Sequence, residues 1–450
     1  MVIARVGSVL AVSFAFAAAL QLAGCAGGAD SLDRVEQALD LLECFGADTR
    51  CQPTVATETL VMPVPRACEG EVRAGLRLEP LVDFSNDSCA TRGDETYCSG
   101  GAGANALAAD GTLWTLGHTI EQRWTEDSIW VRRYGPEGER LGVSDLSPEL
   151  PFAPSDIVGM DLALDEHGSA RAVMYEAYGY REERDRRAWL VELDDQARVV
   201  GEPVALGEIG GPAIALASEG RVLIVGSDPE DPTGASLTQL DARGRRVWTQ
   251  TDVRRAGVEH DVDMLSLVSD AAGGALVVSQ RTPRSPSGAV TYGVARFDSA
   301  GNVVWDRALD TAFHDRGGDA YLVAAADGGA LVSATRGVGV DGSSRLQRLA
   351  RINLDGGVDW VYELESKYGG ALAVDPQSGE IYVGAVAIDD EADELTHDLV
   401  VISPDGERCT RFTLPQEGAR LGLALTGFDQ EGRLFANALP GYARVQLPEE

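Results

Sequence analysis

Apolar residues in this chain come in short runs separated by turn residues, and the runs carry strand periodicity. Tyr292-Gly-Val-Ala-Arg-Phe297 is one such run, and Leu265-Ser-Leu-Val268 and Ala275-Leu-Val-Val-Ser279 flank a turn around Gly273 and Gly274. Short β-rich runs bounded by Asp/Gly turns are hairpin signals. The same hairpin recurs at Tyr321–Val332, Ile214–Val225 and Leu423–Ala436. Its turn glycines are Gly111, Gly168, Gly220, Gly274, Gly328, Gly379 and Gly432, at steps of 57, 52, 54, 54, 51 and 53 residues. A second turn follows the first six by 24–28 residues, at Gly138, Gln196, Gly244, Gly301, Gly356 and Gly406.

Two hairpins per repeat make a four-stranded unit, and a regular period means units that bury their faces against one another. Units of about 50 residues with four strands have the size of propeller blades. A β-solenoid would repeat at about half that length. The expected fold is therefore all-β: a seven-bladed β-propeller over residues 105–450. The seventh unit is short. Only 18 residues follow Gly432, enough for a strand around Tyr442–Leu447 but not for a fourth. A ring with an unfinished blade exposes a strand edge. Residues before 105 hold a spare strand near Val72–Phe84, which is expected to complete the seventh blade.

The first residues speak to location. Met1–Arg5 carries one positive charge, Val6–Leu20 is apolar and alanine-rich, and Leu22-Ala23-Gly24-Cys25 follows. The stretch is too short for a spanning helix and reads as a secretory signal peptide over residues 1–24. Its end resembles the lipobox of bacterial lipoproteins, which implies cleavage before Cys25 and diacylglycerol on its thiol. With Ala26 rather than Asp next, the family's sorting rule implies the outer membrane, periplasmic or surface face undecided. The chain is then expected to be anchored to a membrane, not threaded through one. Residues 25–104 read as a tether, a short helix at 31–44 and a cysteine-rich segment.

Reserving Cys25 for lipid leaves Cys44, Cys51, Cys68, Cys89, Cys98 and Cys409, an even set that reads as three disulfides in an exported protein. Five lie between residues 44 and 98, so full oxidation sends one of them to Cys409, in the sixth repeat. The spacings lack the close ligand pairs of zinc sites. The 38 basic and 71 acidic residues give a net charge of −33, which argues against nucleic acid as a partner.

Three second turns share one pattern: Asp241-Ala-Arg-Gly-Arg-Arg-Val-Trp248, Asp298-Ser-Ala-Gly-Asn-Val-Val-Trp305 and Leu354-Asp-Gly-Gly-Val-Asp-Trp360. Each tryptophan falls four residues after the glycine. The pattern resembles the tryptophan-docking repeat of quinoprotein-like (PQQ-like) propellers, which implies that each ring wedges between neighbouring blades. The first, second and sixth repeats keep the turn without the tryptophan. Quinoprotein dehydrogenases of that family hold their quinone with calcium and often a disulfide of adjacent cysteines; neither a Cys-Cys pair nor a matching calcium cluster stands in this sequence. The resemblance implies the scaffold and not the enzyme.

No Gly-x-Ser-x-Gly elbow, phosphate loop or His-Glu-x-x-His occurs. His260-Asp261 and His314-Asp315 occupy the same place in successive repeats, in the connection leading to the next innermost strand, where Asp161, Asp263 and Asp319 are also expected. These residues are the candidates for binding at the mouth of the central channel. Aspartates there have the oxygen chemistry calcium takes; no other cofactor is expected. The function expected is that of a non-enzymatic cell-envelope lipoprotein, a rigid scaffold binding a protein or surface polymer at a propeller face. The alternative is a polysaccharide hydrolase or lyase at the channel mouth, which needs convergent carboxylates or a metal-bound histidine.

Overall fold

The structure, a computed structural model, describes residues 58–59, 62–68, 72–83, 89–92, 95–98, 104–119, 128–153, 157–165, 168–177, 186–207, 210–227, 235–251, 260–270, 272–283, 291–309, 320–325, 327–338, 344–366, 371–389, 394–414, 424–438 and 441–448. The signal peptide, Cys25, Cys44, Cys51, the expected helix at 31–44, His314, Asp315 and Asp319 lie outside them. No helix among the described residues is long and apolar enough to cross a membrane.

Among the described residues, six strands precede the repeats: β1 (Glu58–Thr59), β2 (Arg66–Ala67), β3 (Val72–Arg73), β4 (Arg77–Asp83), β5 (Cys89–Arg92) and β6 (Glu95–Cys98). Blade one is Ala104–Leu107, Leu113–Thr119, Ser128–Tyr134 and Arg140–Asp145, and blade two Ile157–Leu164, Ala170–Ala177, Arg186–Leu193 and Val204–Gly207. Blade three is Gly210–Leu216, Val222–Ser227, Ala235–Leu240 and Arg246–Thr251, and blade four His260–Ser269, Ala275–Pro283, Thr291–Phe297 and Val303–Ala308. Blade five is Ala320–Ala324, Ala330–Val338, Ser344–Ile352 and Val358–Glu365, and blade six Leu372–Val374, Ile381–Asp389, Glu394–Ile402 and Cys409–Leu414. Blade seven supplies only Ala424–Phe428, Leu434–Ala438 and Gly441–Gln446, and β4 pairs antiparallel with the last of these as its fourth strand. The innermost strands contact one another in sequence, blade seven's returning to blade one's. The chain forms a seven-bladed propeller closed by its own N-terminal segment, as the missing-strand argument expects.

The segment does more than close the ring. β1, β2 and β3 add in parallel to the outer strands of blades four, five and six in turn, before β4 enters blade seven. The single strand expected over 72–84 is therefore two, because Gly75 takes φ +106° and turns the chain from one blade's edge to the next. Cys68, between β2 and β3, is bonded to Cys409 at the start of blade six's outer strand. Arg66 reinforces this crossing by donating to the Gly406 carbonyl and to Glu407. β5 and β6 form a separate hairpin whose backbone register sets Cys89 opposite Cys98.

Each blade is buried on both faces, so its central strands read as near-continuous apolar runs; Ile381, Tyr382, Val383, Ala385 and Val386 are all buried. Among the described residues there are seven buried apolar clusters, one at each blade seam. The seam between blades seven and one is helped by charge: Arg433 and Arg444 both reach Glu137, and Arg444 also donates to the Pro136 carbonyl.

The turns repeat one piece of chemistry. Asp194, Asp241, Asp298, Asp270 and Asp429 each accept backbone N–H bonds from the residues two and four further on. The Arg198 guanidinium holds the Asp194 carboxyl below the usual carboxylate range, and the backbone N–H and guanidinium of Arg245 do the same for Asp241. Two turns sit one residue away from their sequence assignment. The left-handed residue is Gly273, not Gly274, and Ala197 (φ +62°), not Gln196. Counting from the turn aspartate, Asp270 or Asp194, places both correctly; scanning for glycine alone does not.

All three motif tryptophans dock as the resemblance implies. Trp248, Trp305 and Trp360 lie over Gly301, Gly356 and Gly406 of the next blade, where an added Cβ would approach the ring to 2.7, 2.9 and 2.5 Å. Each indole N–H donates to the carbonyl two residues before that glycine, Ser299 (3.2 Å), Leu354 (2.9 Å) and Pro404 (3.4 Å). Trp305 is the buried hinge of the 4/5 seam. Trp305→Ala is expected to lower unfolding free energy by about 3–5 kcal/mol in urea titrations. Val304→Ala, at a neighbouring exposed side chain, is expected to stay within about 0.5 kcal/mol of wild type.

Candidate functional site

Of the residues expected at the channel mouth, Asp161, His260, Asp261 and Asp263 lie among the described residues. Asp161 lies inside blade two's innermost strand rather than in the connection before it. Its carboxylate accepts the N–H of Leu162 and the N–H of Ile214 on blade three's innermost strand, both at 2.9 Å. Burial pushes this carboxyl up, and the two backbone bonds oppose the shift. Asp161 thus clamps two blades together.

His260, Asp261 and Asp263 also belong to an innermost strand, His260–Ser269, and not to a connection. The reason is backbone pairing: the ladder opposite Ala275–Pro283 continues past the apolar run, with His260 across from Pro283 and Asp263 across from Gln280. Polar side chains at a strand end do not stop a ladder. Among the described residues, no group of three or more His, Cys, Asp or Glu is placed to hold a metal ion.

A cavity of about 610 Å³ opens on the outer rim, beside the Cys68–Cys409 bridge. Tyr382 and Phe412 form its apolar wall, both buried, with Tyr382 in edge-to-face contact with Phe428. Arg73, Glu380, Thr410, Leu447 and Pro448 edge it. The Tyr382 hydroxyl donates to Glu380 at 3.3 Å, and burial followed by the Glu380 charge holds that phenol well above its ordinary range. At one end Tyr362 donates to the Gly406 carbonyl at 2.8 Å. The cavity is bounded by blade six, by Tyr362 of blade five, by the N-terminal segment that crosses the blade edges (the strap) and by the last residues of blade seven.

Sequence reasoning missed the rim site. The signal was present in Thr410, which stands four residues after Gly406 where the third, fourth and fifth repeats carry tryptophan.

No protein-family model matches the sequence, and no curated protein sequence matches it. Solved structures resemble it in architecture. The GH93 α-L-arabinofuranosidase of Fusarium graminearum with arabinobiose is 12% identical, with 72% of this chain and 96% of that chain covered and a TM-score of 0.44. The Penicillium chrysogenum α-L-arabinanase with arabinobiose is 13% identical, covering 66% and 91%, at 0.44. Chaetomium thermophilum Sqt1 bound to the N-terminus of ribosomal protein L10 is 11% identical, covering 77% and 96%, at 0.41. At these identities the likeness is one of architecture alone.

Proposed function

We propose that the chain is a cell-envelope lipoprotein, anchored through Cys25 to the outer membrane, whose propeller is a rigid binding scaffold for a protein or surface polymer. The observation that supports this most is the double lock: β4 completes blade seven, and Cys68–Cys409 fixes the segment before it. A ring held both by strand pairing and covalently presents preorganised surfaces, which lowers the ordering cost of binding. Seated tryptophans support reading the repeats as quinoprotein-like in their scaffold. The first described strand, β1, lies on blade four's outer edge. The 32 residues between Cys25 and Glu58 would reach at most about 110 Å fully extended, so an anchored ring stays within the envelope's reach.

The test has two arms. Full-length protein expressed in a bacterium with an outer membrane should incorporate labelled palmitate and sediment with membranes, and Cys25→Ala should do neither. Mature protein mixed with cell-surface polysaccharides should leave their chain length unchanged. Label-free wild-type protein would remove the anchor, and depolymerisation would replace the scaffold with a hydrolase or lyase.

A further inference from the structure

We propose that the β5–β6 hairpin is pinned by a Cys89–Cys98 disulfide, that Cys44 and Cys51 form the remaining pair, and that the strand closing the ring is thereby flanked by a cross-link on each side. The inference rests on the exported reading for an oxidising compartment.

Six cysteines stand beside Cys25 in the sequence, and Cys68 is bonded to Cys409. The other four can pair in three ways. Two of those ways separate Cys89 from Cys98, and the backbone register, which sets these two directly opposite, argues against both.

Cys89–Arg92 and Glu95–Cys98 are joined by only two residues, Gly93 and Asp94. A two-residue connection in an antiparallel ribbon is closed by a hydrogen-bonded pair, here Arg92 with Glu95. Pair types alternate from there along the ladder. Thr91 with Thr96 is a non-hydrogen-bonded pair, Ala90 with Tyr97 a hydrogen-bonded one, and Cys89 with Cys98 again non-hydrogen-bonded. Directly opposed residues share one face of a ribbon, and a non-hydrogen-bonded pair has its Cα atoms about 4.5 Å apart. Disulfides span Cα separations of about 4.4–6.8 Å. A register one residue away would put the two cysteines on opposite faces.

The bridge also stabilises what strand pairing alone does not. The hairpin is a two-stranded sheet that belongs to no blade, and a two-stranded ribbon by itself is marginally stable at best in water. It lies within the 20 residues, 84–103, that lead from β4 to blade one's innermost strand. A cross-link at its base takes residues 89–98 out of that path, and a shorter path costs less entropy to close. On the other side of β4, Cys68 stands nine residues before Arg77 and ties the chain to blade six. The ring-closing strand thus enters and leaves through cross-linked segments.

Cleavage after arginine puts each of these cysteines on its own peptide: 35–50, 51–66, 67–73, 78–92, 93–123 and 409–411. The whole mature chain, exported by a bacterium and alkylated as it is unfolded, is digested with trypsin at mildly acidic pH without reduction and mapped by mass spectrometry. Three linked pairs are expected: 78–92 with 93–123, 35–50 with 51–66, and 67–73 with 409–411. In Cys89→Ser, the newly alkylated thiol should be Cys98 alone. Linkage of 78–92 or 93–123 to 35–50 or 51–66 overturns the proposal. So does alkylation of both Cys89 and Cys98 beside an intact Cys68–Cys409 bond. Alkylation of all six cysteines overturns the exported reading as well. Peptide 25–34 carries the anchor residue separately, so a chain without lipid at Cys25 still gives a decisive map.

Discussion

Deleting Arg77–Asp83 is expected to abolish the protein's single cooperative thermal transition. The loss exceeds that of one strand for three reasons. β4 pairs along its length with Gly441–Gln446, so its removal leaves blade seven three-stranded with an open edge. Val82 belongs to the buried cluster between blades seven and one, which has the fewest buried apolar residues of the seven seams among the described residues. The backbone of Leu81 is the seat for blade one's turn at Gly138. Blade seven and its seam with blade one therefore fail together, and the loss is comparable to a domain's whole stability of about 5–15 kcal/mol. Scanning calorimetry should show a broad, low-enthalpy transition and early aggregation. Removing Glu58–Thr59, a two-residue addition to an edge that is already four strands wide, should leave the transition sharp.

The second large effect concerns the covalent staple. Cys68 and Cys409 are 341 residues apart, so the bridge closes nearly the whole ring in the unfolded chain. The chain-entropy relation gives about 6 kcal/mol for a loop of that length, and native disulfides commonly deliver about 2–5 kcal/mol. A Cys68→Ser, Cys409→Ser double variant is expected to lose stability in the latter range while keeping its β-sheet circular dichroism. Urea midpoints measured with and without reductant check this. Wild type should fall toward the double variant when reduced, and the variant itself should move much less. A midpoint of the double variant equal to that of oxidised wild type would show that strand pairing alone holds the strap.

Much of the architecture was legible in the sequence because propeller blades repeat their turn chemistry. Asp-x-x-Gly turns at regular spacing set the blade count, and the shortfall after Gly432 pointed to a borrowed strand. The odd cysteine among five pointed to Cys409. The strap was not legible, and the reason is physical. β1, β2 and β3 are two residues long and add to edges, so they carry no periodicity of their own. Their pairing is decided by where Cys68 and β4 hold the chain. The sequence places Asp161, His260 and Asp263 in connections, whereas they stand in innermost strands, because long hairpins extend their ladders through polar residues. Thr410 stands where three other repeats carry tryptophan, but its place on the cavity depends on the strand and segment packed beside it, which no local pattern reveals.

The order of attachments along the strap also determines how the molecule would carry tension. For a chain held at its N-terminus and pulled through a partner bound to the ring, load enters at β1 and passes to β2. It then reaches Cys68 and crosses into blade six through a covalent bond. β4 begins at Arg77, downstream of that bond, and bears none of the pull. The edge strands behave as a sacrificial zipper, while the strand that closes the ring stays slack.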